Sequence, residues 1–335
     1  MVARRSAGCQ THRWKRELAA AFTRPEELLE ALNLDRRLLA PAQEAATGFR
    51  LLVPRGYAAL MERGNPHDPL LRQALPLAQE LEDRIGFSPD PVGDRSAMRA
   101  PGLLQKYQGR ALLVLTGACA IHCRYCFRRH FPYAESATIA DRAAAATAQI
   151  AADSNISEVI LSGGDPLMLD DEPLAALIKD LEGIAHLKRL RLHTRLPIVL
   201  PARITATLRH TLTTSRLQAV VVVHANHARE LGEDVRRALG RLRHAGIPLL
   251  NQSVLLRGVN DRAEDLVDLS ERLFDSGVLP YYLHLLDKVS GAAHFEVPEE
   301  SAVKLMDRLR TRLPGYLVPR LVKEEAGRPY KIPVL

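Results

Sequence analysis

From about residue 110 onward, short apolar runs alternate with longer stretches in which apolar residues return every three or four positions. The runs are ALLVLT (111–116), EVILSG (158–163), LRLHT (190–194), AVVVVHA (219–225), LLNQSVLL (249–256) and YYLHLL (281–286). Runs this rich in Val, Ile and Leu suit parallel strands covered on both faces. Between them DRAAAATAQIAA, DEPLAALIKDLEGI, GEDVRRALGRLRHAG, RAEDLVDLSERLFDSG and EESAVKLMDRLRTRL read as amphipathic helices. Six strand-then-helix units predict an α/β fold with a parallel sheet and right-handed crossovers. Six are too few to close an eight-fold barrel, so a partial, open (β/α)6 barrel is expected. Residues 1 to about 100 differ. RPEELLEALNL has helical spacing after an acidic first turn, and LLVPRGYAALMERGNPHDPLLRQALP is broken by Pro and Gly into short helices and turns. The expected division is a helical N-terminal region over 1–100, to which no chemistry is assigned, and a barrel over 101–335.

The unusual polar residues collect where these strands end. Three cysteines follow the first strand, SGGD (Ser162–Asp165) the second, and HTR (His193–Arg195) ends the third. HANH (His224–His227) ends the fourth, NQS (Asn251–Ser253) lies in the fifth, and LDK (Leu286–Lys288) ends the sixth. In barrels of this kind the C-terminal strand ends and the loops after them build the active site. Core packing does not explain polar residues gathered at that face.

Composition narrows the class. An apolar share of 47% supports a substantial core. No apolar run approaches the roughly 18 residues that span a bilayer, and MVARRSAGCQTHRWKREL has no apolar segment of a secretion signal. Four cysteines, three of them clustered, do not form a disulfide framework, so a reducing cytoplasm is expected. Cys9 stands alone and reads as an inert free thiol. The net charge of +7 invites a nucleic-acid reading, but the basic residues are interspersed with acids and aromatics make up only 5%. Solvated helix faces and a few anion-binding arginines account for it, and neither nucleic acid nor membrane is an expected partner.

The decisive stretch is LTGACAIHCRYCFRRHFPY, residues 115–133, with Cys119, Cys123 and Cys126 spaced C-x3-C-x2-C. Three thiolates are one short of a closed tetrahedral site. A structural zinc would need a fourth ligand, which His122 or His130 could supply. An iron–sulfur cluster on three thiolates leaves one iron open to another ligand. The spacing, placed after the first strand of a partial barrel, is similar to the signature of the radical S-adenosylmethionine (SAM) superfamily. Tyr125 before the last cysteine fits, and SGGD resembles the family's glycine-rich motif. The resemblance implies a TIM-like radical SAM barrel and a [4Fe-4S] cluster on Cys119, Cys123 and Cys126 that chelates SAM. It also implies SAM contacts at Ser162, Gly163, Gly164 and Asp165, with His224 and Gln252 as further cofactor contacts.

The flanks sharpen this. YQGRALLVLTGACAIHCRYCFRR, LSGGDPL, VVVHANHARE, GIPLLNQSVLLRGVND and PYYLHLLDKVSGAAHFEVP together resemble the lysine 2,3-aminomutases. Those isomerases use pyridoxal 5′-phosphate (PLP) besides SAM and the cluster, and move an amino group between C2 and C3 of L-lysine. The resemblance implies Lys331 as the catalytic lysine that carries PLP. It implies Lys106, Tyr107 and Arg110 as phosphate donors, Arg128 as the bidentate partner of the substrate carboxylate, and Asp287 with Glu324 as partners of its distal ammonium. One departure is AGRPY before Lys331, where catabolic members carry a run of glycines. RWKRELAAAFTRPEELLEALNL and VPRGYAALMERGNPHDPLLRQALP resemble the branch that serves elongation factor P, and the chain ends at Leu335 without the long extension of the catabolic enzymes. That branch makes (R)-β-lysine, which a separate ligase attaches to the translation factor. A flavodoxin or ferredoxin is the kind of electron donor implied. The alternatives are a catabolic or osmolyte-forming aminomutase, a radical SAM enzyme acting on RNA, and a zinc-stabilised binding module.

Overall fold

The structure is a computed structural model that describes residues 6–133 and 138–335; the side chain of Cys9 lies outside that description. Its strands are β1 (Met98–Ala100), β2 (Leu103–Tyr107), β3 (Arg110–Thr116), β4 (Glu158–Gly163), β5 (Arg189–Thr194), β6 (Gln218–Val223), β7 (Leu249–Val254), β8 (Leu279–His284), β9 (Arg320–Lys323) and β10 (Ile332–Pro333). They form one sheet in chain order. β3 to β9 pair in parallel throughout. β1, β2 and β10 add antiparallel ribbons at the two ends.

All six strands expected from the apolar runs are present, but the parallel set has seven members. The missed one, β9, is the four-residue segment RLVK, half of it charged. Too short and too polar to stand out by pattern, it is held by pairing with β8. β2 (LLQKY) escaped notice for the same reason.

Helices Ile139–Ala152, Asp171–Glu182, Ala206–Thr214, Glu233–His244, Ala263–Asp275 and Glu299–Arg310 cover the parallel strands. The second buries Leu174, Leu177, Ile178 and Leu181, one face at helical spacing. The last three open on acidic pairs and end on basic residues, which complements the helix dipole. Trp14, Phe22 and Leu28 from the helical N-terminal segment share a core with Leu113, Val159, Leu190, Val221 and Leu249 of the strands.

The loops after β3 and β4 are tied backbone to backbone. Gly164 N donates to Thr116 O at 2.7 Å and Asp165 N to Ala118 O at 2.9 Å. The approach is so close that a Cβ on Gly164 would stand 2.4 Å from Ala118 O. The second glycine of SGGD is thus required by packing against the cysteine loop itself. Gly164→Ala is expected to lose about 1–3 kcal/mol or more by overpacking. Gly56→Ala, where a Cβ meets nothing within 4 Å, should not. Urea unfolding of both variants against the parent checks the difference.

Candidate active site

The C-terminal strand ends and their loops enclose a cavity of about 420 Å³. Every site residue expected from the sequence lines it: the three cysteines, Ser162 to Asp165, Lys106, Tyr107, Arg110, Arg128, His224, Gln252, Asp287, Glu324 and Lys331.

The three cysteines are free thiols. Burial raises the Cys119 pKa, and its neighbours Cys126 and Asp165 add to the shift. Cys126 is pushed up to about 11 by burial and then by Cys123. Charge on these sulfurs is unfavourable until something cationic takes the protons' place. Neither candidate histidine joins them. His122 turns Nδ1 to Arg50 O at 2.9 Å and stacks on Phe49, and His130 Nε2 meets Ser290 O at 3.1 Å. Among the described residues no three His, Cys, Asp or Glu side chains converge tightly enough to hold a single metal ion. A polynuclear cluster binds each thiolate through a different iron and accepts wider spacing.

A chain of alternating charges crosses the cavity wall. Arg128 Nη1 donates to Ser162 Oγ at 3.1 Å, and Arg128 Nε pairs with Asp94 Oδ2 at 2.6 Å. Asp94 Oδ1 lies 2.6 Å from Lys106 Nζ, which also reaches Glu324 Oε1 at 2.8 Å. Glu324 Oε2 pairs in turn with Lys331 Nζ. Burial works against ionising Asp94, but Arg128 and Lys106 outweigh it and hold the carboxyl below its usual range. Glu324 is likewise drawn down to about 2, Lys331 and Lys106 overcoming the opposing effect of burial. Asp94 comes from the region to which the sequence assigned no chemistry. Its loop is held by Asp90, whose carboxylate accepts from the backbone of Asp94 at 2.8 Å and of Arg95 at 3.1 Å. Only Asp90 and Gly93, both common in turns, hinted at an organised loop.

Asp287 is different. It lines the same cavity, and among the described residues no hydrogen bond or ion pair reaches its carboxylate. Burial, and then repulsion from Glu324, raise its pKa to about 7. Arg110 also has no carboxylate partner among the described residues; its guanidinium lies 5.1 Å from the Tyr107 ring centroid. Gln252 Nε2 lies 3.0 Å from His224 Nε2 and 3.4 Å from His193 Nδ1, and burial keeps both imidazoles neutral near pH 7. Asp165 holds the loops together. Thr194 Oγ1 and the backbone N–H groups of Leu167, Arg195 and Leu196 all donate to it. Arg195, noted in the sequence only as part of HTR, fills the space behind the cysteines.

The chain shares 51% identity with the L-lysine 2,3-aminomutase of Escherichia coli (strain K12) over 96% of this chain and 94% of that one. It belongs to the lysine 2,3-aminomutase family. The Haemophilus influenzae member is 47% identical over 95% of this chain and 94% of that one. The Clostridium subterminale member is 33% identical over 96% of this chain and 77% of that one. The Radical SAM superfamily model matches residues 113–270, which hold β3 to β7 and all three cysteines.

The aminomutase is an isomerase whose cofactors are a [4Fe-4S] cluster, SAM and PLP, and the residues present fit the cluster and PLP. The cysteine loop offers three thiols whose protons a cluster would replace. Lys331 is half-buried on the cavity wall, within reach of an aldehyde there. Arg110 and Tyr107 offer an unpaired cation and a phenol to a phosphate dianion. No helix of the described residues is long and apolar enough to cross a membrane.

Two predictions follow from this geometry. Cys119→Ala, Cys123→Ala and Cys126→Ala should each lower bound iron sharply after anaerobic reconstitution, because an underligated cluster is lost; full iron in any of them would contradict the assignment. Asp287 yields a stability prediction. Its folded pKa of about 7 lies above the ordinary carboxylate value of 3.8. The fold therefore favours the protonated form, and stability is lost as pH rises from about 4 through about 7. Asp287→Asn should melt higher than the parent at pH 8 and equally at pH 4, as read by thermal unfolding of the cofactor-free protein.

Proposed function

We propose that the chain converts L-lysine to (R)-β-lysine, and that this product serves the modification of elongation factor P through a separate lysyl ligase. The observation that carries the substrate is Asp287, a carboxylate on the cavity wall that no hydrogen bond or ion pair engages among the described residues, Lys331 and Lys106 acting on it only at a distance. A carboxylate of this kind suits an incoming ammonium, whose burial is costly unless it is paired. Arg128 supplies the complementary fork, its Nε and one Nη1 bond already used to fix its plane. A substrate with a carboxylate at one end and an ammonium at the other matches this pair better than a neutral or acidic amino acid does.

When bound, the cluster with SAM supplies the radical that removes a substrate hydrogen, and PLP carries the migrating amino group. The chain's own residues bind and orient. Arg128 holds the α-carboxylate and Asp287 the distal ammonium. Glu324 pairs with Lys331 Nζ and becomes available to a second cation once Lys331 is otherwise engaged. Lys106, Tyr107 and Arg110, all on the cavity wall, would hold the phosphate. Leu104, Ile160, Leu196 and Val199 give the cavity apolar walls that exclude water from reactive species.

The elongation factor branch rests on the resemblance of RWKRELAAAFTRPEELLEALNL and VPRGYAALMERGNPHDPLLRQALP to that branch. A flavodoxin-like or ferredoxin-like donor in the cytoplasm would deliver the electron. Incubation with SAM, PLP, a strong reductant and labelled lysine, followed by chiral analysis, tests the reaction; absence of β-lysine from a cluster-loaded, PLP-loaded protein would end the proposal. Transfer of that product to elongation factor P by a lysyl ligase tests the branch.

Asp287→Asn is expected to lower kcat/KM for lysine by two orders of magnitude or more, since loss of one partner of a buried ion pair costs roughly 3–5 kcal/mol. Arg128→Lys should fail comparably, because an ammonium cannot reproduce a bidentate contact. The parent's kcat/KM should fall as pH drops below about 7, where Asp287 takes up a proton. That acidic limb should be missing in Asp287→Asn, and steady-state profiles of both decide it.

A further inference from the structure

We propose that Arg195 is a positioning residue for the cluster: its guanidinium, held against Cys123, sets the reduction potential of the site. The proposal rests on the three-cysteine cluster assigned above. Arg195 lies just beyond β5 and is 5% exposed. Its Nη1 donates to Cys123 Sγ at 2.7 Å and to Tyr125 Oη at 2.7 Å. Its Nη2 donates to Gln73 Oε1 at 2.7 Å, Glu230 Oε2 at 2.9 Å and Tyr57 Oη at 3.2 Å. Its backbone N–H donates to Asp165 Oδ2 at 2.7 Å. Both terminal nitrogens are committed to protein acceptors, while Nε has none among the described residues. The guanidinium presents a fixed positive charge and a hydrogen bond at one of the three cluster sulfurs.

Tyr57 and Gln73 belong to the helical N-terminal region, so this side chain is one of several links between that region and the cysteine loop. Gln73 Nε2 also donates to Glu230 Oε1 at 3.2 Å, and Asn226 Nδ2 donates to Gln73 Oε1 at 3.0 Å and to Tyr125 Oη at 2.7 Å. The network ties together the acceptors that hold Arg195.

Reducing the cluster adds one electron from an external one-electron donor and breaks no bond. The cluster becomes more negative, so a cation and a donated hydrogen bond at Cys123 favour the reduced form; hydrogen bonds to the sulfurs are a recognised lever on such potentials. Glu230 offsets part of that field, in a buried setting where solvent screens little. The two residues should therefore move the potential in opposite directions.

The test uses the full chain with its cluster reconstituted, without SAM, PLP or lysine, in an EPR-monitored redox titration. Iron content and thermal unfolding are measured in parallel. Glu230→Gln keeps the shape of the site and leaves Arg195 unopposed. It should favour the reduced form about tenfold, a rise of about 59 mV for one electron. The double variant Arg195→Gln/Glu230→Gln removes the cation without leaving a buried unpaired carboxylate, and should fall about as far below the parent. Arg195→Lys keeps the charge but loses the fork, and should lie between the parent and the double variant. If Glu230→Gln carries wild-type iron and its midpoint is unmoved or lower, the proposal is overturned, whatever the double variant does. A melting temperature that falls while the midpoint stays put shows a merely structural role and overturns it equally. Absence of the cluster from the parent itself would refute the cluster assignment instead.

Discussion

The carboxylate of Asp165 holds the mouth of the barrel together. Four donors converge on its two oxygens, the N–H of Leu167 from its own loop and Thr194 Oγ1 with the N–H groups of Arg195 and Leu196 from the end of β5. Its own N–H donates to Ala118 in the cysteine loop. Three successive loops after β3, β4 and β5 are thus pinned at one point. Parallel strands end in loops that the sheet's own ladder does not hold, and a buried, fully hydrogen-bonded carboxylate is a compact way to fix them. Burial raises its pKa to about 6 even though every donor works the other way. The thiols, the arginine behind them and the glycine turn all take their positions from this knot.

On the other side of the cavity the organising force is charge. Arg128, Asp94, Lys106, Glu324 and Lys331 alternate in sign along the wall. Each buried ion has an opposite neighbour, which limits the desolvation that would otherwise exclude so many charges from one cavity. Two exceptions stand out among the described residues, Asp287 and Arg110. An unpaired anion and an unpaired cation in the same enclosure suit ligands that bring an ammonium and a phosphate. The pattern of pairing, more than any single residue, distinguishes groups that hold the site from groups left for what enters it.

Much was legible beforehand because it is local. Val, Ile and Leu runs show where buried parallel strands lie, and C-x3-C-x2-C keeps three thiols on one loop whatever the rest of the chain does. β9 was not legible: four residues, two of them charged, become a strand only by pairing with β8. Glu324 follows directly, and its place beside Lys331 depends on the antiparallel pairing of β9 with β10. The glycines of SGGD were visible as a turn, but the demand of Gly164 for space against Ala118 needed both loops in place.

Order along the chain was thus enough for the fold class, the strand ends that carry chemistry and the thiol cluster, since each follows from neighbours a few residues apart. Pairings across long separations were settled only by folding. Lys106 meets Glu324 across 218 residues, Arg128 meets Asp94 across 34, and Arg195 joins Gln73 across 122. Periodicity carries no information about which distant charges will be buried together. That depends on the desolvation each ion avoids by finding its partner, a quantity that exists only once the sheet has brought the loops face to face.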